Sequence, residues 1–258
     1  MKLGIIGATG WLGQALGLRL VQLGLWGEGD LLLSNRSGNR SAYAAYPKAI
    51  WADVAGVCAA SDIIVIAVRP EDFPLQGFDP DAKLVISFMT VWSLAKLRAL
   101  YPKARIVRAM PNGAAPVGAS YTPWVGDGLA AGDAALVARI LSAMGGQDAV
   151  QDEGQLDYLA ALSGSGSAYP ALMAQAMLRD ALGRGLPERV AMAAVEAVIC
   201  GSAPFLAGKM GELDALLDTY RAYKGVTAAG LDAAEHGLHQ AITDALAAAS
   251  AKAKALGE

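Results

Sequence analysis

Short apolar runs punctuate the first 125 residues at intervals that suit strands: KLGIIG (2–7), DLLLSN (30–35), AIWA (49–52), DIIVIAV (62–68), KLVISF (83–88) and RIVRAM (105–110). Several are apolar nearly throughout, which is the pattern of parallel strands covered on both faces. Between them, 11–24 and 92–100 carry helical periodicity, and Asp53 stands where it can cap a short helix over 54–60. Strands alternating with helices predict a doubly wound, parallel α/β sheet.

Past residue 152 the pattern changes. No convincing strand follows Gly154, and alanine-rich helical patterns run through 168–183, 188–208 and 226–256. RVAMAAVEAVICGSAPFLAG (189–208) is apolar on nearly every side, so it must be buried all round, in a core or against another subunit. The division expected is an N-terminal α/β domain over 1–152 and an all-α domain over 153–258 that associates with a second copy.

Composition narrows the partners. The chain has 258 residues, 54% hydrophobic and 17% charged, which excludes disorder and points to extensive buried surface. A net charge of -3 gives no general attraction to nucleic acid or to an anionic membrane. No run approaches the ~18 uninterrupted apolar residues of a membrane helix. The glycine-spaced N-terminus, interrupted by Gln14 and Arg19, lacks a signal-peptide cleavage pattern. Cys58 and Cys200 sit apart in apolar contexts, as buried thiols in a reducing compartment would. The expectation is a cytoplasmic protein without a metal site.

GIIGATGWLGQAL (4–16) carries the first chemistry. A strand, a turn with Gly7, Gly10 and Gly13, and a helix opening at Trp11 set backbone amides at a helix N-terminus, where a pyrophosphate is stabilised. The candidate cradle is Gly7, Ala8, Thr9, Gly10, Trp11, Leu12 and Gly13, and the domain reads as Rossmann-type. Enzymes that use NAD place an Asp or Glu at the end of the second strand, against the ribose hydroxyls. This chain has Ser34, Asn35, Arg36 and Ser37 there, with Arg40 nearby. A carboxylate would repel the 2′-phosphate of NADP, whereas Arg36 can pair with it, so the expected cofactor is NADPH.

The spacing Gly-x-x-Gly-x-x-Gly also occurs in short-chain dehydrogenases, which use a Tyr-x-x-x-Lys pair. Tyr220 and Lys224 have that spacing, but they lie deep in the helical half. The β-hydroxyacid dehydrogenases use a lysine in their helical domain, and this chain has no lysine between Lys103 and Lys209. A third pattern fits better. AVRPEDF (67–73), RAMPNGAAPVG (108–118), ALSGSGSAYPALMAQA (161–176) and GVTAAGL (225–231) occur in order with SNRS and the glycine turn. Across essentially its whole length the chain resembles pyrroline-5-carboxylate reductases, within the 6-phosphogluconate dehydrogenase-like two-domain reductases.

The resemblance implies NADPH-dependent reduction of a cyclic imine, with a substrate pocket built largely from the helical domain at a homodimer interface. Larger rings of dimers also occur in the family. It places Ala67, Val68, Arg69 and Pro70 beside the adenosine side of the cofactor, and Met110, Pro111 and Asn112 near the nicotinamide. Asn112 either orients the nicotinamide half or caps its own loop. Ser163, Gly164, Ser165 and Gly166 precede a long helix, where free amides suit the carboxylate of an imino acid or, alternatively, cap and pack the helix. Hydride transfer belongs to the cofactor, so no strong general base is needed, and His236 and His239 read as surface or interface residues.

The family's Ser-Pro-Gly-Gly-Thr-Thr segment, whose amides and second threonine bind the imino acid, aligns with Ala222, Tyr223, Lys224, Gly225, Val226 and Thr227. Only Gly225 and Thr227 match. Thr227 is the catalytic candidate, donating its hydroxyl to the imine nitrogen. Lys224 and Gly225 join the substrate-binding set, Lys224 either as an ion pair for a carboxylate or as a solvent-facing residue. Ser167 and Gln175 depart from the usual proline and glutamate. The expected reaction is 1-pyrroline-5-carboxylate to proline. The alternatives are a paralogue acting on another cyclic imine or imino acid, and an NADPH-binding sensor without turnover.

Overall fold

The computed structural model describes residues 1–257. Each of the six apolar runs becomes a strand: β1 (Leu3–Ile6), β2 (Leu31–Ser34), β3 (Ile50–Trp51), β4 (Ile63–Ile66), β5 (Leu84–Ser87) and β6 (Arg105–Ala109). They lie parallel in the order β3-β2-β1-β4-β5-β6. β1, β2, β4 and β5 are buried at every position, as strands covered on both faces must be. One face is covered by α1 (Trp11–Gln22), packed through Ala15, Leu16 and Leu20. The other carries α2 (Val54–Ala60) and α3 (Leu94–Leu100), packed through Val57, Cys58 and Leu97. The Asp53 side chain accepts from the Gly56 amide at 2.7 Å, the cap expected of it.

Two strands were not expected. β7 (Ser120–Asp127) runs antiparallel to β6, and β8 (Gly145–Ala149) runs parallel to β7. The sheet thus has eight strands and is mixed, with parallel pairs dominant. α4 (Asp133–Leu141) connects β7 to β8 and buries Val137, Ile140 and Leu141.

The chain forms two compact units. One comprises residues 1–167 with the segment from 249 onward, and the other comprises 168–248. The first unit extends past residue 152 because α5 (Glu153–Leu159) is fastened beside β6. Arg108, with a side chain only 3% exposed, pairs with Glu153 and lies 3.5 Å from Asp157, and it donates to the Thr90 carbonyl at 2.9 Å. Glu153 also accepts from the Leu94 amide at 2.9 Å.

The second unit is helical: α6 (Ala168–Gly183), α7 (Glu188–Glu196), a π turn over Ala197–Gly201, α8 (Ser202–Leu206), α9 (Leu213–Ala222) and the N-terminal part of α10 (Val226–Gly257). The expectation that 189–208 is buried all round does not hold within one chain. Among the described residues of Glu188–Leu206, Ala191 is the buried one, and Val190, Met192, Val198 and Phe205 are exposed. This stretch, of mean hydropathy 1.5, is also long and apolar enough to cross a membrane by length and composition, although Glu196 interrupts it.

Candidate active site

The phosphate-type turn is built as the glycine spacing requires. Gly7 has φ +89°, and a Cβ there would lie 2.5 Å from the Ala67 carbonyl oxygen. A Cβ on Gly13 would lie 2.3 Å from the Gly7 carbonyl oxygen, so α1 can approach the turn only without a side chain. The turn is tied to β2 by the amides of Gly7 and Ala8, which both donate to the Ser34 carbonyl at 2.9 and 3.0 Å. The Gly10 amide closes the turn onto Gly7. The amides of Trp11, Leu12 and Gly13 open α1, where a helix leaves its donors without internal acceptors.

These residues stand at the carboxyl ends of β1 and β4, where the strand order reverses and open α/β sheets bind ligands. A cleft of about 660 Å³ opens there. It is lined by Gly7, Thr9, Gly10, Trp11 and Leu12 from the turn, Asn35, Arg36 and Ser37 after β2, and Ala67, Val68, Arg69 and Pro70 after β4. Twelve of the expected cofactor residues are thereby brought together. Ala8, Gly13 and Ser34 support the turn from behind, and Ala8 and Ser34 are buried. Asn35 orders the wall, donating to Thr9 Oγ1 at 3.2 Å and accepting from the Gly38 amide at 2.9 Å. Ser37 accepts from the Asn39 amide. Arg40 lies over the Trp51 ring, 5.2 Å from its centroid, and does not line the cleft.

Three lining residues escaped the sequence reading: Asp72, Phe88 and Thr90. Phe88 and Thr90 follow β5 directly, and their place beyond a strand's carboxyl end was the available signal. Asp72 changes the electrostatics. It lies 2.6 Å from Arg36 and 2.7 Å from Arg69, so both guanidinium groups are already paired. Hydrogen bonds from Arg69 and then Arg36 hold the Asp72 carboxyl below the usual carboxylate range.

Met110, Pro111 and Asn112 follow β6 but do not line this cleft. Asn112 caps its loop: its Oδ1 accepts from the Ala114 amide, and its Nδ2 donates to the Ser163 carbonyl, both at 3.0 Å. It thereby joins MPN to the SGSG segment. That segment is a π turn over Ala160–Gly164 continuing α5. Its donors are less free than expected, since Ser165 and Gly166 amides bond the carbonyls of Ala160 and Ser163 at 3.1 Å. The Ser163 hydroxyl donates to the Leu159 carbonyl at 2.9 Å. In this conformation the amides of Ser165 and Gly166 are engaged within the turn.

Lys224, Gly225 and Thr227 belong to the second unit, in the turn between α9 and α10. All three are exposed. Lys224 has φ +51°, the left-handed conformation that favours glycine, and its amide closes α9 onto the Arg221 carbonyl at 2.9 Å. It therefore lies outside the helix that holds Tyr220, which breaks the apparent Tyr-x-x-x-Lys pair.

The cleft and turn fit a dinucleotide: a glycine cradle that a Cβ would fill, unpaired first-turn amides, and guanidinium groups at the end of β2 and after β4. Comparisons with known proteins agree with this geometry. Residues 153–256 match the model for pyrroline-5-carboxylate reductase dimerisation, and 2–90 match that for NADP oxidoreductase, coenzyme F420-dependent. The pyrroline-5-carboxylate reductase of Synechocystis is 28% identical, over 100% of this chain and 99% of its own. That of Arabidopsis thaliana is 26% identical over 100% and 96%. The solved Plasmodium falciparum pyrroline carboxylate reductase with NADP bound superposes with a TM-score of 0.87 at 25% identity, covering 100% of this chain and 98% of that one. The Coxiella burnetii enzyme gives the same TM-score, identity and coverage.

Across its whole length this chain is similar to pyrroline-5-carboxylate reductases. That similarity accords with AVRP, MPN and SGSG occurring in this order on a parallel-dominated sheet followed by helices. The first glycine of the Ser-Pro-Gly-Gly-Thr-Thr segment aligns with the αL position that Lys224 occupies here.

Proposed function

We propose that the chain is an NADPH-dependent oxidoreductase acting on a CH–NH bond, reducing 1-pyrroline-5-carboxylate to proline, the last step of proline biosynthesis. The observation that carries this reading is the cleft at the switch point, with a full glycine cradle, Arg36 where an NAD enzyme would place a carboxylate against the ribose, and Arg69 after β4. When bound, the nicotinamide supplies the hydride for the C=N carbon. The chain's own residues orient and hold. The first-turn amides of α1 and Thr9 receive the pyrophosphate, and Arg36 and Arg69 meet the adenosine phosphate. A protonated imine is electrophilic already, so Thr227 needs only to hydrogen-bond the reacting nitrogen.

The functional boundary is placed at 152/153, which the start of the dimerisation match at residue 153 supports. A homodimer is supported by that match and by the exposed apolar side chains of α6 to α8. A cytoplasmic setting is supported by the two free thiols, Cys58 and Cys200.

Lys224 in a glycine-type conformation favours one second reading, a paralogue specific for another cyclic imine. NADPH oxidation decides, measured on pyrroline-5-carboxylate, pyrroline-2-carboxylate, their six-membered homologues and uncarboxylated pyrroline. Fastest turnover of pyrroline-5-carboxylate is expected. A faster substrate in the panel would transfer the assignment to the paralogue, and NADPH binding without turnover on any imine would make the chain a sensor. In the same assay, Thr227→Ala is expected to lower kcat by about 10²-fold with NADPH binding retained.

A further inference from the structure

Arg36 reaches the cleft from the loop after β2, and Arg69 from the end of β4, yet one carboxylate holds both. Asp72 Oδ1 lies 2.6 Å from Arg36 Nη1, and its Oδ2 lies 2.7 Å from Arg69 Nη2 and 2.8 Å from Arg69 Nε. Glu71 stands 3.4 Å from Arg69. Two cations and two anions therefore cancel at the end of the cleft where a doubly charged adenosine 2′-phosphate would be recognised. An enzyme that selects this phosphate by charge gains most from an unbalanced excess of guanidinium.

We propose that Asp72 is a specificity-determining residue: a resident anion that bridges Arg36 and Arg69 and restrains the preference of the cleft for a 2′-phosphorylated dinucleotide. The inference rests on the NADPH reading and adds to it the group that sets how strong the preference is. Bridging has two opposed effects. It holds the guanidinium groups in place, which favours binding, and it puts a negative charge beside an incoming dianion, which opposes it. The Arg36 side chain is 81% exposed, and ion pairs this open order their partners only weakly. The field of the carboxylate, by contrast, acts on both charges of a phosphate lying within the ~8 Å screening length of physiological salt. Repulsion therefore outweighs ordering, and Asp72 lowers selectivity.

Calorimetric titration of the full chain with 2′-phospho-ADP-ribose and with ADP-ribose tests this without turnover. Asp72→Asn is expected to bind the phosphorylated fragment about three- to five-fold more tightly and ADP-ribose unchanged, with the gain shrinking as salt is added. Glu71→Gln, which faces Arg69 alone, is expected to change less. Unchanged or weaker binding of the phosphorylated fragment to Asp72→Asn would overturn the inference, as would an equal gain with ADP-ribose or with Glu71→Gln. Wild-type protein that binds neither fragment would overturn the NADPH reading itself, and this inference with it.

Discussion

Lys224 shows how far a single residue can be read. The sequence locates the departure from the family's glycine pair, but the reason a glycine belongs there is the φ of +51°, which only the backbone reveals. An L-residue in that region is disfavoured by about 1–2 kcal/mol, partly offset by the larger freedom of glycine when unfolded. Lys224→Gly is therefore expected to raise stability by about 0.5–1 kcal/mol, read as a higher urea midpoint at unchanged slope. Arg36 teaches the reverse lesson. Its place beside the cleft was legible, whereas its pairing with Asp72, 36 positions along the chain, was not. The Asp72 carboxyl is held below its ordinary value by Arg69 and Arg36, so the stabilisation it contributes is complete above the ordinary carboxylate pKa. It is lost as pH falls through the depressed folded value. A carbonyl-carbon NMR titration should accordingly show Asp72 ionised throughout pH 5–8 and protonating below the free-aspartate pKa of ~3.9.

Among the elements, those with continuous apolar runs were legible, and those without were missed for physical reasons. β7 contains Pro123, which lacks an amide for a ladder and reads as a break, yet the strand is held between β6 and β8. β8 is Gly-Gly-Gln-Asp-Ala, with neither alternation nor β-branched residues, because most of it is exposed. The π turn at Ala160–Gly164 had no signal in residue spacing, and the amides of Ser165 and Gly166 close onto it. α5 is fastened by Arg108, a charge set in the otherwise apolar run of β6, and the residue spacing gave no sign of that pairing. Removing that charge strands Glu153 and Asp157, which are 28% and 25% exposed and so only partly desolvated. Arg108→Gln is expected to cost about 1–3 kcal/mol in denaturant unfolding. The glycine turn has less tolerance still. Gly13→Ala forces a Cβ to within 2.3 Å of a backbone oxygen and should abolish dinucleotide-fragment binding in the same titration, together with a loss of about 1–3 kcal/mol of stability.

Over the molecule as a whole, the two halves bury their apolar residues differently. Among the described residues, every buried hydrophobic side chain up to Ala161 belongs to the first unit, and beyond it only Ala191 and Ala228 are buried. Leu172, Met192 and Phe205 are 66%, 54% and 47% exposed in one chain. A second copy is the covering that the dimerisation match supports. Met192→Glu and Phe205→Glu are each expected to shift sedimentation towards the monomer, while Val117→Glu, a change at a still more exposed position in the first unit, should not.

The uneven burial also sets an order of events during synthesis. All three apolar clusters are complete by Ala160, so the α/β half can close its core while the ribosome is still adding the helices. At ~5–20 residues per second those helices emerge several seconds later. Within one chain those helices bury few apolar side chains. With the proposed homodimer, the first half should mature in a concentration-independent step and the second in a bimolecular one.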